Sequence, residues 1–103
     1  MKQVIDGKRY DTATATEICD VSPCGYSRSD FQWHDTSLYV TPKGRFFLAG
    51  AGGPLSMWAK ALGSNGAIGG SGIKPLTQEE AREYAERHAT SDIVSKYFAV
   101  EDA

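Results

Sequence analysis

The segment FLAGAGGPLSMWAKALG, residues 47–63, has the residue order of a phosphate-binding loop. A strand-like run leads into glycines and then into a helical pattern, which is how nucleotide-binding proteins place backbone N–H groups around a phosphate. Gly53 is followed by Pro54, however, so the lysine and the hydroxyl of a phosphate loop are missing. Leu55 stands where a dinucleotide-binding motif requires its third glycine.

Two interpretations of these glycines remain. Gly52 and Gly53 are candidates for holding an anion with their backbone N–H groups at the start of a helix. The alternative is that residues 50–53 turn the chain sharply off an edge strand and let it pass close to the sheet. The second interpretation is favoured, because no lysine stands after Gly53 to reach a phosphate and the strand before the glycines belongs to an antiparallel hairpin instead of a parallel βαβ unit.

The cysteines and histidines suggest two other chemistries. Cys19, Cys24 and His34 could supply three zinc ligands, but a structural zinc site needs four, and we predict no metal site. Cys24 and His34 could form a nucleophile and base, with Asp30 or Asp35 as the orienting group. His34 and Asp35 are neighbours on a predicted strand, so they point to opposite faces. We therefore expect no enzyme and no cofactor.

Residues 25–34, GYSRSDFQWH, combine aromatic side chains with an arginine and small polar residues. Such a set is typical of a protein-binding hot spot, and it could also stack the bases of a single-stranded nucleic acid. In the structural alternative, Phe31 and Trp33 are core residues of a strand and His34 is exposed. The candidate partner-binding residues are Tyr26, Arg28, Asp30, Trp33 and His34.

Composition limits the function classes. The chain has 103 residues, 41% of them hydrophobic and 23% charged, which is typical of one folded domain. A net charge of −2 argues against a strongly basic nucleic-acid-binding protein. The sequence contains no apolar run of about 18 residues and no apolar leader, so we expect a cytoplasmic protein with reduced thiols and no membrane contact.

Two hairpins are predicted from their turns. Asp6-Gly7 fits a type I′ turn, and Pro42-Lys43-Gly44 fits a bulged three-residue turn. Period-two alternation around the second turn predicts one face with Leu38, Val40, Phe46 and Leu48, and an opposite face with Tyr39 and Phe47. A further strand over residues 16–21 would place Ile18 and Asp20 on one face and Cys19 and Val21 on the other.

The second half of the chain predicts helices. The stripe Leu55, Trp58, Ala59 and Leu62 indicates a short helix that ends at Gly63. Residues 63–72 are predicted as a loop and residues 73–76 as a short extended piece. Thr77 and Glu80 form a capping box that starts a helix running to about Ala89, and Ser91 starts a last helix through Phe98.

These elements predict an α+β fold, with four or five antiparallel strands from hairpins and two or three short helices. Residues 1–98 would form a single domain, followed by a frayed acidic tail at 99–103. One face of the sheet is expected to pack against Trp58, Leu62, Tyr84, Ile93, Val94 and Phe98.

Three segments together resemble a family of small uncharacterised bacterial proteins from mobile elements and phage-derived regions. They are GKRYDTATATEI, SDFQWHDTSLYVTPKGRFFLAGAGGPLS and IKPLTQEEAREYAERH, and the resemblance covers residues 2–98. It implies a compact α+β domain with an accessory role and carries no activity with it. By analogy of size and setting, such proteins are often inhibitors of host defence, including anti-CRISPR proteins, that act by binding.

The leading functional prediction is therefore a non-catalytic protein-interaction module, an inhibitor of a bacterial defence complex. Its surface would be formed by residues 25–35 and 63–72, and its partner would be a protein. The alternative is a single-stranded nucleic-acid-binding module that uses Tyr26, Arg28, Trp33, Lys43 and Arg45. A third hypothesis is a small ligand-binding domain or enzyme built on the glycine-rich segment.

Overall fold

Short hairpins and cross-strand pairing organise most of the chain. A computed structural model describes residues 1–22, 34–53, 56–61 and 67–102. These residues form an α+β fold of three antiparallel sheets and two helices, which confirms the predicted fold class. The strands are β1 (Lys2–Ile5), β2 (Lys8–Asp11), β3 (Thr16–Asp20), β4 (His34–Val40), β5 (Phe46–Gly52), β6 (Lys60–Ala61), β7 (Ala67–Ile68) and β8 (Gly70–Leu76), and the helices are α1 (Gln78–His88) and α2 (Ser91–Tyr97).

The central sheet has four strands in the order β3-β4-β5-β8. The β1–β2 hairpin and the β6–β7 pair form two further sheets of two strands each. Strand β5 lies inside the central sheet, between β4 and β8. The prediction that it is an edge strand was wrong.

Both predicted hairpin turns are confirmed. Asp6 and Gly7 have φ angles of 52° and 76°, as a type I′ turn requires. In the second turn, the Gly44 N–H donates to the Thr41 carbonyl at 2.9 Å, and Gly44 has a φ of 83°. The Thr41 N–H closes the loop by donating to the Arg45 carbonyl at 2.8 Å. Both turns are therefore fixed by local backbone geometry that the sequence already specifies.

The central sheet buries a different cluster on each face. The face that packs against the helices, called the helix face, carries Ile18, Leu38, Phe46 and Leu48, and these cluster with Val21, Trp58, Ala81, Ala85, Val94 and Phe98. The face that packs against the β1–β2 hairpin, called the hairpin face, carries Tyr10, Phe47, Ala49 and Ile73, with Tyr39 packed beside them. The ring of Phe47 lies 5.2 Å from that of Tyr39 and 5.4 Å from that of Tyr10. The predicted division of the second hairpin between two faces is confirmed.

Strand β3 departs from the predicted alternation. Its register with β4 shifts between Glu17 and Cys19, which is a β-bulge. Because a bulge places one extra residue on the strand, Ile18 and Val21 both join the cluster on the helix face, and Cys19 packs against it. The prediction that Ile18 and Val21 lie on opposite faces was wrong for this reason.

The start of α1 is as predicted. The Glu80 N–H donates to the Thr77 hydroxyl at 3.2 Å, and the Thr77 N–H donates to the Glu80 carboxylate at 3.0 Å, which completes the capping box. Thr90 caps α2 by accepting from the Ile93 N–H. The predicted packing residues Trp58, Tyr84, Ile93, Val94 and Phe98 all belong to the cluster on the helix face or pack against it, and Leu62 lies outside the described residues.

Two predictions about the glycine-rich part of the chain were wrong. Residues 56–59 form a turn that leads into β6, and not a helix. Residues 67–72, predicted as loop, contain β7 and the first part of β8. Propensity favours loop at the glycines of β8, but pairing with β5 along seven residues overrides it.

Candidate functional site

Trp58 lies over a row of small residues on the helix face. Thr36 in β4 pairs with Gly50 in β5, and Gly50 pairs with Gly72 in β8. A Cβ at Gly72 would lie 3.6 Å from Trp58 Cε3, and a Cβ at Gly50 would come within 2.8 Å of the Thr36 Cα and Oγ1 atoms. Gly50 therefore allows β4 and β5 to approach more closely than a side chain would permit, whereas the indole lies at ordinary contact distance above Gly72.

A chain of hydrogen bonds continues from this indole. The Trp58 Nε1–H donates to Thr36 Oγ1 at 2.7 Å, and His34 Nδ1 lies 2.8 Å from the same oxygen. Thr36 is 1% exposed, and its hydroxyl has a single hydrogen to donate. Among the described residues, the acceptor in reach is His34 Nδ1, so the geometry assigns a neutral His34 whose proton is on Nε2.

The burial of His34 agrees with this assignment. Burial lowers the pKa of His34, and His88 lowers it further, whereas Asp20 and Asp35 oppose the shift. The net direction is downward from the usual value, which favours the neutral imidazole. Hydrogen bonding by Ser22, whose N–H donates to Asp20 Oδ1 at 2.7 Å, holds the pKa of Asp20 below its ordinary range.

The other polar side chains of this cluster hold the turn at residues 56–59 and strand β4 through hydrogen bonds. The Ser56 hydroxyl donates to the Gly53 carbonyl at 2.7 Å and accepts from the Trp58 N–H at 3.2 Å. The Ser22 hydroxyl accepts from the Thr36 N–H at 2.9 Å. Within residues 1–22, 34–53, 56–61 and 67–102, no three His, Cys, Asp or Glu side chains are placed to hold a metal ion. The cluster therefore fixes the turn carrying Trp58 to the sheet.

A second group of polar residues lies at the two hairpin turns. Lys8 and Arg9 follow the first turn, and Lys43 and Arg45 belong to the second. All four side chains are exposed, and they line one cleft of about 490 Å³, called here the basic cleft. Asp11 is the carboxylate in its lining, and its Oδ1 accepts from the Ala13 N–H at 2.9 Å. The cleft therefore has a strong positive excess.

An adjoining open cavity of about 530 Å³ shares Arg45 with the basic cleft. It lies between the second hairpin turn, the start of α1 and the end of α2. Aromatic and cationic side chains line it, and it is called here the aromatic cavity: Tyr10, Arg45, Phe46, Lys96 and Tyr97. The Lys96 ammonium lies 5.4 Å from the centre of the Tyr97 ring.

The predicted site residues fall in different places. Tyr26, Arg28, Asp30, Trp33 and Cys24 lie outside the described residues, so their predicted roles stay predictions. His34 is half-buried against Thr36 instead of exposed. It lies on the helix face, opposite to Asp35, as the strand period predicts.

Among the described residues after Gly53, residues 56–61 form a turn and strand β6, and not the helix that an anion site would use. Gly52 is a strand residue with His34 on one side and Gly70 on the other, so its backbone faces two neighbouring strands. The Gly53 carbonyl accepts from the Ser56 N–H at 3.0 Å within a turn. Gly50 and Gly52 allow close packing, as the favoured interpretation predicted. They do so inside β5, which is an interior strand and not an edge strand.

The basic cleft was missed as a unit. Lys43 and Arg45 were singled out from the sequence, whereas Lys8 and Arg9 were not. The available signal was that each predicted hairpin turn carries two cations within three residues. That signal became meaningful only when packing of Tyr10 against Phe47 placed the two hairpins side by side.

Comparisons with protein-family models, with curated proteins and with solved structures found no match. The resemblance to proteins of mobile elements therefore stays a prediction. Neither described helix is long and apolar enough to cross a membrane.

Proposed function

We propose that this chain is a small, non-catalytic protein-interaction module that binds an acidic segment of a partner protein in the basic cleft. One observation carries the proposal. Four cations from two separate hairpins line a single cleft with one carboxylate, although the chain as a whole has a net charge of −2. Complementary charge of this kind speeds encounter and selects the partner.

The cleft is built on rigid backbone. A type I′ turn presents Lys8 and Arg9, and a bulged turn with Gly44 in the left-handed region presents Lys43 and Arg45. The ring of Tyr10 meets that of Phe47 at 5.4 Å and holds the first hairpin to the central sheet. Because the backbone under the cations is already ordered, binding costs less conformational entropy than it would on a mobile loop.

The charge outside the cleft favours a protein partner over a long nucleic acid. The cleft takes 4 of the 11 Lys and Arg residues and 1 of the 13 Asp and Glu residues, so the rest of the chain is distinctly acidic. A nucleic-acid strand carries charge along its whole length and would be repelled beyond the cleft. The negative charge of an acidic protein segment extends over a few residues only, so all of it can lie within the cleft.

Fluorescence anisotropy tests this proposal with two labelled probes, an acidic peptide of Glu and Asp residues and a single-stranded oligonucleotide of equal charge. We expect the peptide to bind more tightly at the same salt concentration. Lys43→Glu with Arg45→Glu should weaken peptide binding at least about tenfold, since charge pairs across interfaces contribute on the order of 1.5 kcal/mol or more each. The single variants Lys43→Glu and Arg45→Glu are measured as well, and Arg82→Glu is the control matched to each in charge, because Arg82 is exposed on α1 and away from the cleft.

Tighter binding of the oligonucleotide would favour the nucleic-acid alternative, which also uses Lys43 and Arg45. Equal losses in the cleft variant and in Arg82→Glu would show a nonspecific charge effect and contradict the proposed site. Circular dichroism of each variant should match that of the unmodified protein, since the four cations are exposed.

We propose a bacterial defence complex as the class of partner to examine first, and the cytoplasm as the location. Both follow from the sequence features given above, through the resemblance to proteins of mobile elements and the expectation of reduced thiols. Mixing purified defence complexes with the unmodified protein and with the Lys43→Glu, Arg45→Glu variant tests this choice. On size-exclusion chromatography, we expect the unmodified protein to elute together with the defence complex. The variant should elute separately from it.

A further inference from the structure

We infer that the acidic segment bound by this protein carries an aromatic side chain beside its acidic residues, and that this ring enters the aromatic cavity. The inference rests on the proposed function and specifies its ligand. It follows from Arg45, which lines both the basic cleft and the aromatic cavity. A segment that pairs a carboxylate with Arg45 therefore has its neighbouring side chain at the mouth of the cavity.

The walls of the aromatic cavity suit a ring. Phe46 and Tyr10, from the helix face and the hairpin face, both contribute to its lining and are 8% and 6% exposed. Tyr97 is half-buried, so part of its ring remains open to a guest. Aromatic pairs favour edge-to-face and offset contacts, and the open part of the Tyr97 ring can make such a contact with a guest ring.

The cations of the cavity distinguish an aromatic guest from an aliphatic one. Arg45 and Lys96 line the cavity, and the described part of its lining contains no carboxylate. Lys96 already lies 5.4 Å from the Tyr97 ring centre, within the range of a cation–π contact. A guest ring would meet the same cations with its negative face, whereas a leucine or valine side chain would not.

A thermodynamic cycle with two peptides tests the inference. The peptides share one acidic run and differ at one flanking position, which is Phe in one and Ala in the other. The protein variants are Tyr97→Leu, which keeps an apolar side chain against the core, and Lys96→Gln, which removes only the charge. Arg82→Glu again serves as the control, and anisotropy gives the dissociation constants.

We expect the Phe peptide to bind the unmodified protein about 2- to 10-fold more tightly than the Ala peptide, the range that an aromatic pair contributes. Tyr97→Leu and Lys96→Gln should both reduce this preference, measured as the ratio of the dissociation constants of the two peptides. Equal binding of the two peptides, or a preference that survives both substitutions, overturns the inference and leaves the basic cleft standing. Failure of both peptides to bind overturns the proposed function as well.

Discussion

The indole N–H of Trp58 donates a 2.7 Å hydrogen bond to the hydroxyl of Thr36, 22 residues earlier in the chain. Both residues are buried, and Thr36 is the polar residue among the largest fully buried side chains. The bond attaches the turn at residues 56–59 to the middle of β4. In the glycine-rich segment, Gly50 and Gly52 therefore lie inside β5, and Trp58 packs over the sheet beside them.

Thr36→Val is expected to destabilise the fold by about 1–3 kcal/mol, although the two side chains have nearly the same shape. The substitution leaves the buried Trp58 N–H without an acceptor and removes the hydroxyl that His34 Nδ1 accepts from. Urea unfolding followed by tryptophan fluorescence measures the change. Thr16→Val, at an exposed position of β3, is the matched control, and an equal loss there would contradict this role for Thr36.

Gly50→Ala and Gly72→Ala should differ sharply. A Cβ at Gly50 would overlap the Asp35 carbonyl and come within 2.8 Å of backbone and side chain of Thr36, so we expect a loss of about 1–3 kcal/mol from overpacking. A Cβ at Gly72 would meet only Trp58 Cε3 and Cζ3, at an ordinary 3.6 Å, and we expect a change of less than about 1 kcal/mol in either direction. Thermal unfolding of both variants makes the comparison. Similar losses would contradict the close approach of β4 and β5 at Gly50.

Stability should fall as the solution is acidified through the range in which free histidine titrates. The pKa of His34 in the folded protein is lowered from 6.5. A neutral, buried histidine makes its full contribution to the free energy of unfolding above pH 6.5. That contribution is lost as the pH falls from 6.5 through the lower pKa of the folded protein. Asp20, Asp35 and His88 are the charged groups acting on His34, and the lowered pKa of Asp20 acts in a separate, more acidic range.

Urea midpoints between pH 7.5 and 5 measure this dependence. His34→Gln removes the titrating group and should flatten the curve in that range. His88→Gln, at an exposed position near the end of α1, should retain the dependence. A curve that stays equally steep in His34→Gln would show that another group is responsible.

The sequence predicted the local features of the fold. The turns at Asp6-Gly7 and at Gly44, and the Thr77–Glu80 capping box, depend on residues a few positions apart, and all three are confirmed. The extension of β5 to Gly52 and the existence of β8 depend on pairing between residues 18 to 30 positions apart, which overrides the loop preference of glycine. The bulge at Ile18 has the same origin, because only pairing with β4 reveals the extra residue.

The candidate site was harder to predict. Two of its four cations, Lys43 and Arg45, were identified from the sequence, and the other two come from a hairpin more than 30 residues earlier. Tyr97 and Lys96 are brought to Arg45 by the packing of Phe46 on Phe98, whose rings are 5.0 Å apart. No local pattern contains that contact, so the joined cleft and cavity become visible only in three dimensions.

Charge reversal across the interface tests the central claim most directly. The dissociation constants of an acidic peptide and a basic peptide of equal length are measured for the unmodified protein and for the Lys43→Glu, Arg45→Glu variant. If the basic cleft is the docking surface, the unmodified protein prefers the acidic peptide and the variant loses or reverses this preference. A variant that still prefers the acidic peptide as strongly as the unmodified protein would show that the partner docks elsewhere.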